Sequence, residues 1–395
     1  MSFPVSRSLF GRRGFQQLSR RSFSISRRAL ADHVRIIEVG PRDGLQNEKK
    51  SIPVETKIEL VNRLARTGLR TIEAGSFVAP KWVPQMAASD KVLSSVLNNP
   101  PSSPAPVTYQ WLLPNSKGLD NYFKVMNTSA SAPDGYPTPP PSPQNDDGPA
   151  LNTSSQDPNA MPASTSGVDS MSKSRGQGSG QKHEVSIFMS ATETFSKTNT
   201  NCTIQESLDR FRPLMAESKK AGYPVRAYIS VALGCPFEGA DVDPHRVADI
   251  AASLMEMGAD ELSVADTTGM GTAPATKKLL RTLKEAGIRS EDIAMHFHDT
   301  FGQALINTMV SLDHGIRAFD SAVGQLGGCP YSPGATGNVA TEDLVYTLHS
   351  LGADTGVDLE EVSRIGDWIT NEIGKANLSS AGKATLARLK LEGRL

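Results

Sequence analysis

Residues 261–298 read ELSVADTTGMGTAPATKKLLRTLKEAGIRSEDIAMHFH. The stretch opens on a short β-rich apolar run at 261–265 and closes on a second at 293–298, with a helical pattern between them. Two such runs joined by a helical crossover make a βαβ unit with parallel strands. The same alternation continues in both directions, with strand candidates at 34–39, 70–77, 106–113, 184–190, 225–232 and 318–323. Helix signals fall between them. Asp243 before Pro244 is an N-cap signature and Gly258 a stop; Thr203 and Glu206 have capping-box spacing ahead of a helix that ends near Gly222. Ile58, Val61, Leu64 and Ala65 are spaced as one buried helical face. Eight strand–helix units in succession predict an α/β fold, a (β/α)8 TIM barrel over residues 31–127 and 182–358 with a helical tail at 359–395. A doubly wound open sheet is the alternative that alternation alone leaves open.

Two segments stand outside this pattern. Residues 1–30 hold seven arginines, seven serines and no acid, the composition of a mitochondrial transit peptide. A basic tail that binds an anionic surface is the plainer reading, and the apolar side formed by Leu9, Phe10, Phe15, Leu18 and Phe23 favours transit. The near-balance of 41 Lys+Arg against 42 Asp+Glu therefore hides an acidic remainder behind a basic leader. Residues 128–181 are about half Pro, Ser and Gly, too poor in apolar surface to offset chain entropy, and read as a disordered insertion. The insertion precedes the fourth strand, opposite the catalytic rim of a barrel, so its deletion is expected to leave turnover nearly unchanged. The charge balance argues against a nucleic-acid partner, no apolar run approaches a membrane span, and three cysteines exclude a disulfide scaffold.

In a barrel, chemistry collects where strands end at the C-terminal rim. Arg42-Asp43 follow strand one, Glu73 lies in strand two, Asp266 ends strand six, and His296 and His298 sit on strand seven. Residues two apart on a strand share a face, so both imidazoles point into the lumen. Such a pair is satisfied equally by neighbouring hydrogen bonds. Beside Asp43, and with Asn338 beyond strand eight, it becomes an oxygen-and-nitrogen set suited to Mg2+ or Mn2+. Arg42 at that rim is placed to hold a carbonyl or enolate oxygen. Glu73 and Asp266 read as acid–base groups or as partners that orient ligands, with helix capping the bland alternative for Asp266. Gly-Cys-Pro occurs twice, at Cys235 and at Cys329, and the glycines around Cys329 favour the latter.

Gly40-Pro41-Arg42-Asp43-Gly44-Leu45-Gln46-Asn47-Glu48, Ser76-Phe77-Val78, Pro80-Lys81-Trp82-Val83-Pro84-Gln85-Met86, His296-Phe297-His298-Asp299-Thr300 and Gly327-Gly328-Cys329-Pro330-Tyr331 resemble the 3-hydroxy-3-methylglutaryl-CoA lyase family of DRE-type TIM metallolyases. The resemblance covers about residues 33–127 and 182–358. It implies cleavage of an acyl-CoA substrate to acetyl-CoA and acetoacetate in the mitochondrial matrix, by a homodimer. It also implies that Asp43, His296, His298 and Asn338 hold the metal and that Arg42 holds the acyl carbonyl. Cys329, Asp266, Glu73 and His296 would be the catalytic groups, with Lys49 near the CoA phosphates. Two departures stand out: Gln325 where the signature has glycine, and Thr268 where an aliphatic residue is usual. A Claisen-condensing synthase of the same superfamily, such as an isopropylmalate- or homocitrate-synthase-like transferase, shares the Arg-Asp rim and the HxH strand but lacks the Gly-Gly-Cys-Pro loop. An amidohydrolase carries HxH on its first strand, and a dead barrel would have lost rim residues.

Overall fold

The computed structural model describes residues 33–130, 181–328 and 337–395. The leader, most of the insertion and Cys329 lie outside these residues. Eight parallel strands close on themselves in chain order: β1 (Arg35–Glu38), β2 (Thr71–Ser76), β3 (Thr108–Leu112), β4 (Lys182–Ser190), β5 (Val225–Ser230), β6 (Glu261–Asp266), β7 (Ile293–Phe297) and β8 (Ala318–Ser321). The β1–β8 pairing, with Arg35 opposite Ala318 and Glu38 opposite Ser321, excludes the open sheet.

The outer ring begins with α1 (Val54–Ala65), α2 (Ser89–Asn98) and α3 (Ser116–Ala130). It continues with α4 (Glu193–Thr200), α5 (Ile204–Lys220), α6 (Pro244–Glu256), α7 (Ala273–Glu285), α8 (Ala304–Asp313) and α9 (Thr341–Ser350). Two more helices, α10 (Leu359–Glu372) and α11 (Ser380–Leu391), form the tail and pack on each other. Local chemistry sets the helix starts. Thr203 and Glu206 make a full capping box at α5, and Asp243 caps α6 ahead of Pro244. Helix α3 runs to Ala130, further than the insertion boundary at 128 implied; Thr128 Oγ1 bonds back to the Lys124 carbonyl at 2.7 Å and continues the turn.

The apolar core lies between strands and helices, where Leu60, Leu64, Trp111, Leu214, Ile229 and Leu262 are fully buried. The lumen is different. It carries Arg226, Glu73, Tyr228, Asp320 and Ser263, all buried, so the barrel's interior is a hydrogen-bonded polar plug. Register places that plug against the rim: His296 of β7 pairs with Asp320 of β8, and a register shift between Glu73 and Gly75 interrupts the β2–β3 ladder beside the site.

Candidate active site

Strand β1 ends in a single π-helical turn, Gly40–Gly44, which swings Arg42 and Asp43 over the lumen. Arg42 is 6% exposed; its Nε donates to Glu73 Oε2 at 2.6 Å and its Nη1 to Asp43 Oδ1 at 2.7 Å. Burial by itself would lower the Arg42 pKa, but the charges of Glu73 and Asp43 outweigh it and hold the guanidinium protonated. Glu73 also accepts from Ser186 Oγ at 3.0 Å through Oε1 and from Tyr228 Oη at 2.9 Å through Oε2. Both Glu73 oxygens are engaged, and the bond to Nε orients the Arg42 guanidinium.

The ligand atoms of Asp43, His296 and His298 lie within 4.8 Å of one another. His296 Nδ1 is 3.0 Å from Asp320 Oδ2, which leaves Nε2 facing Asp43 Oδ2 at 3.9 Å. The His298 ring lies 5.2 Å from that of His296, on the same side, and its Nδ1 is buried without a partner. Burial, reinforced by His296, lowers the His298 pKa to about 4, so this imidazole is neutral with a lone pair to give. Asn338 Nδ2 donates to Asp43 Oδ2 at 2.9 Å and to the Leu326 carbonyl at 3.1 Å, while its Oδ1 is buried and unpartnered. Each buried polar atom left unpaired costs on the order of 1–3 kcal/mol. Orphaned atoms on His298 and Asn338, beside a carboxylate, therefore suit a divalent cation. Burial alone would raise the Asp43 pKa; the charge of Arg42 leads the interactions that override it and hold the pKa below the usual carboxylate value.

Asp266 ends β6 with no exposed surface. Its Oδ2 accepts from the Gly271 N–H at 2.9 Å, and its Oδ1 has no partner. Burial raises its pKa to about 7, even against the backbone N–H groups that oppose the shift. Capping does not explain this residue, because Thr272 caps α7 by accepting from the Ala275 N–H. A Cβ at position 271 would sit 2.6 Å from Asp266 Oδ2, so glycine is what allows the close approach.

The structure thus gathers Arg42, Asp43, Glu73, His296, His298 and Asn338 at one rim, with Asp266 opposite Phe297, between the two histidines. Lys49 is exposed on the segment after the β1 turn, and no hydrogen bond or ion pair joins it to the cluster among the described residues. The other Gly-Cys-Pro cysteine, Cys235, is fully buried with Sγ 3.2 Å from Thr192 Oγ1, inside the packing rather than at an open surface. Asn47 Nδ2 donates to the Gly328 carbonyl at 2.6 Å, tying the β1 turn to the residue that precedes Cys329.

Residues 33–130 and 163–369 match the family described as HMGL-like. The chain belongs to the HMGL-like family. This HMGL-like chain is 43% identical over 359 residues to the 3-hydroxy-3-isohexenylglutaryl-CoA/hydroxy-methylglutaryl-CoA lyase of Pseudomonas aeruginosa, covering 91% of its own length and 99% of the relative's. It is 40% identical over 357 residues to the mitochondrial hydroxymethylglutaryl-CoA lyase of Rattus norvegicus, covering 90% of each chain, and lyases named cytoplasmic match as well. The crystal structure of the hydroxymethylglutaryl-CoA lyase from Pseudomonas aeruginosa matches with a TM-score of 0.72 at 42% identity, over 91% of this chain and 99% of that one. Among the described residues of this HMGL-like chain, no helix is long and apolar enough to cross a membrane.

Several residues of the site carried no sequence signal. Asp320, Arg226, Tyr228 and Ser263 sit inside strands, where a polar residue reads as an ordinary outward position. Their role emerges only when register brings distant strands together.

Proposed function

We propose that this chain is a divalent-metal-dependent carbon–carbon lyase that cleaves 3-hydroxy-3-methylglutaryl-CoA to acetyl-CoA and acetoacetate. The observation that carries the reading is the sharing of one carboxylate: Asp43 gives Oδ1 to Arg42 and turns Oδ2 toward His296 and Asn338. A cation-binding cluster and an oxyanion-binding guanidinium are thereby locked side by side. The reaction needs both, because a hydroxyl must lose its proton while a thioester oxygen gains charge.

Asp43, His296, His298 and Asn338 would hold the ion, and the oxygen and nitrogen donor set favours Mg2+ or Mn2+. Such an ion supplies Lewis-acid polarisation of the substrate's oxygens. Asp266, with its unpartnered buried oxygen and a pKa near neutrality, takes the 3-hydroxyl proton. The C2–C3 bond then breaks, its electron pair going to C2 as C3 becomes the ketone carbon of acetoacetate. Arg42 holds the thioester oxygen of the resulting acetyl-CoA enolate, kept in plane by Glu73. Cys329 delivers the proton that turns C2 into a methyl group. Lys49 is assigned to the CoA phosphates.

The likeness to named lyases over about nine-tenths of the chain supports cleavage rather than Claisen condensation. We assign the chain to the mitochondrial matrix on the composition of residues 1–30, and to a homodimer on the family resemblance. Incubation of metal-stripped protein with 3-hydroxy-3-methylglutaryl-CoA, with Mg2+ or Mn2+ restored, should yield acetoacetate only in the restored samples. Absence of product with metal present overturns the assignment.

A further inference from the structure

Arg226 of β5 lies in the barrel lumen with no exposed surface, and each edge of its guanidinium has one directed partner. Nε donates to Glu261 Oε1 at 2.7 Å, Nη1 to Tyr228 Oη at 2.7 Å, and Nη2 to Asp320 Oδ1 at 2.6 Å. Two of these bonds lead upward to opposite halves of the site. Asp320 uses its other oxygen, Oδ2, to meet His296 Nδ1 at 3.0 Å and Ser263 Oγ at 2.9 Å. Tyr228 Oη donates to Glu73 Oε2 at 2.9 Å, the same oxygen that accepts from Arg42 Nε. The Tyr228 ring also lies close to both guanidinium groups, with its centroid 4.7 Å from Arg226 Cζ and 5.1 Å from Arg42 Cζ, and it stands edge-on to His296.

A carboxylate facing His296 Nδ1 selects the tautomer with the proton on that nitrogen and leaves Nε2 as the lone pair toward Asp43. A buried carboxylate can do this only while its own charge is compensated, and Arg226 is the cation in contact with it. On the other arm, Arg226 can only donate, so the Tyr228 hydroxyl accepts from it and its single proton goes to Glu73. One buried cation therefore sets the direction of both hydrogen-bond chains.

We propose that Arg226 is a positioning residue that couples the two halves of the site: through Asp320 it presents His296 Nε2 to the metal, and through Tyr228 and Glu73 it fixes the plane of Arg42. The proposal rests on the lyase reading for its catalytic consequence, whereas its two arms can be measured without substrate. Three variants of the full chain separate them, Asp320→Asn, Tyr228→Phe and Arg226→Lys. The readouts are Mn2+ affinity by electron paramagnetic resonance, solvent exchange of the Arg42 Nε–H by NMR, and kcat apart from KM.

Asp320→Asn should weaken Mn2+ binding about 10–100-fold and leave Arg42 Nε–H exchange unchanged. Tyr228→Phe should keep Mn2+ affinity within about twofold while speeding Arg42 Nε–H exchange, and should lower kcat about tenfold or more at similar KM. Arg226→Lys should show both defects together. If Arg226 only plugs the barrel, folded Asp320→Asn and Tyr228→Phe proteins bind Mn2+ and exchange Arg42 Nε–H as the parent does, and the proposal is overturned. Because both of these keep Arg226, Arg226→Gln stands in where Arg226→Lys does not fold, and parent-like Mn2+ binding and Arg42 Nε–H exchange in a folded Arg226 variant overturn the proposal. Failure of the parent to cleave substrate would sink the lyase reading while leaving the Mn2+ and exchange contrasts intact as tests of the coupling.

Discussion

Gly271 donates its backbone N–H to Asp266 Oδ2 at 2.9 Å and leaves the other carboxylate oxygen buried with nothing to bond. One oxygen anchors the side chain, and the proposed reaction assigns the substrate hydroxyl to the other. Asp266→Asn keeps the volume and the Gly271 bond but cannot take a proton. Its kcat is expected to fall about 10²–10⁴-fold, the range for loss of a general base, with the melting temperature unchanged or raised. Steady-state kinetics on folded variant decide this, and retention of more than a tenth of the parent's kcat would remove Asp266 from the proton path.

Cys329 is assigned the return of a proton to the enolate carbon. Cys329→Ser should bind substrate with a similar KM and turn over about 10²–10⁴-fold more slowly, because a serine hydroxyl is a much weaker acid than a thiol. Full activity in this variant would remove the thiol from the mechanism and leave the metal cluster and Arg42 untouched.

Two buried acids brace the chain entering the β8 rim. Glu38 accepts from the Gly40 and Val323 N–H groups and from Thr341 Oγ1, and Glu342 accepts from the Gly324 N–H. Burial raises the Glu38 pKa to about 7 and the Glu342 pKa to about 8, the second helped by the charges of Glu38 and Asp343. The folded protein then holds protons that the unfolded chain releases above an ordinary carboxylate pKa. Their contribution is fully present below about pH 4.5 and is lost as pH rises through 7 to 8. The slope is about 1.4 kcal/mol per pH unit for each group titrating. Glu342→Gln retains an acceptor for Gly324 and cannot ionise, so its stability relative to the parent should rise between pH 5 and pH 8. Urea unfolding across that range tests this, and parallel curves for the two proteins would contradict it.

Gln325 stands in left-handed backbone at φ 62°, directly after Gly324 at φ 65°. Its side chain reaches Asp299 Oδ2 only at 3.5 Å, which is too long to offset much strain. A side chain in this conformation costs roughly 1–2 kcal/mol, and glycine gives back part of that gain through a more flexible unfolded chain. Gln325→Gly should therefore stabilise the protein by about 0.5–1 kcal/mol, read as a higher urea midpoint at constant slope. A lower midpoint would show that the Gln325 side chain contributes more than its contacts suggest.

How much of this was legible in the sequence follows from the range of each interaction. The eight strands are local apolar runs, and each appears close to where its pattern put it. His296 and His298 share a face because of strand period, and Asp43 meets them because chain order places β1 beside β8. Gln325 also gave a local signal, a glutamine where the family pattern has glycine, and its positive φ supplies the physical reason. Glu73 was visible as a rim acid, but its engagement with Arg42, Ser186 and Tyr228 was not, since those partners lie 31, 113 and 155 residues away in the chain. Arg226 and Asp320 are 94 residues apart and each looks unremarkable alone. Only barrel closure makes them one device.

In the proposed reaction the chain breaks the C2–C3 bond through an enolate that is protonated at C2. Cleavage of 3-hydroxy-3-methylglutaryl-CoA by the Mg2+-loaded full chain in D2O, with acetyl-CoA read by mass spectrometry, tests it most directly. The expected result is acetyl-CoA carrying one deuterium in its methyl group, formed in equal amount with acetoacetate. Unconsumed substrate, acetyl-CoA formed without acetoacetate, or acetyl-CoA with no deuterium in its methyl group would contradict this.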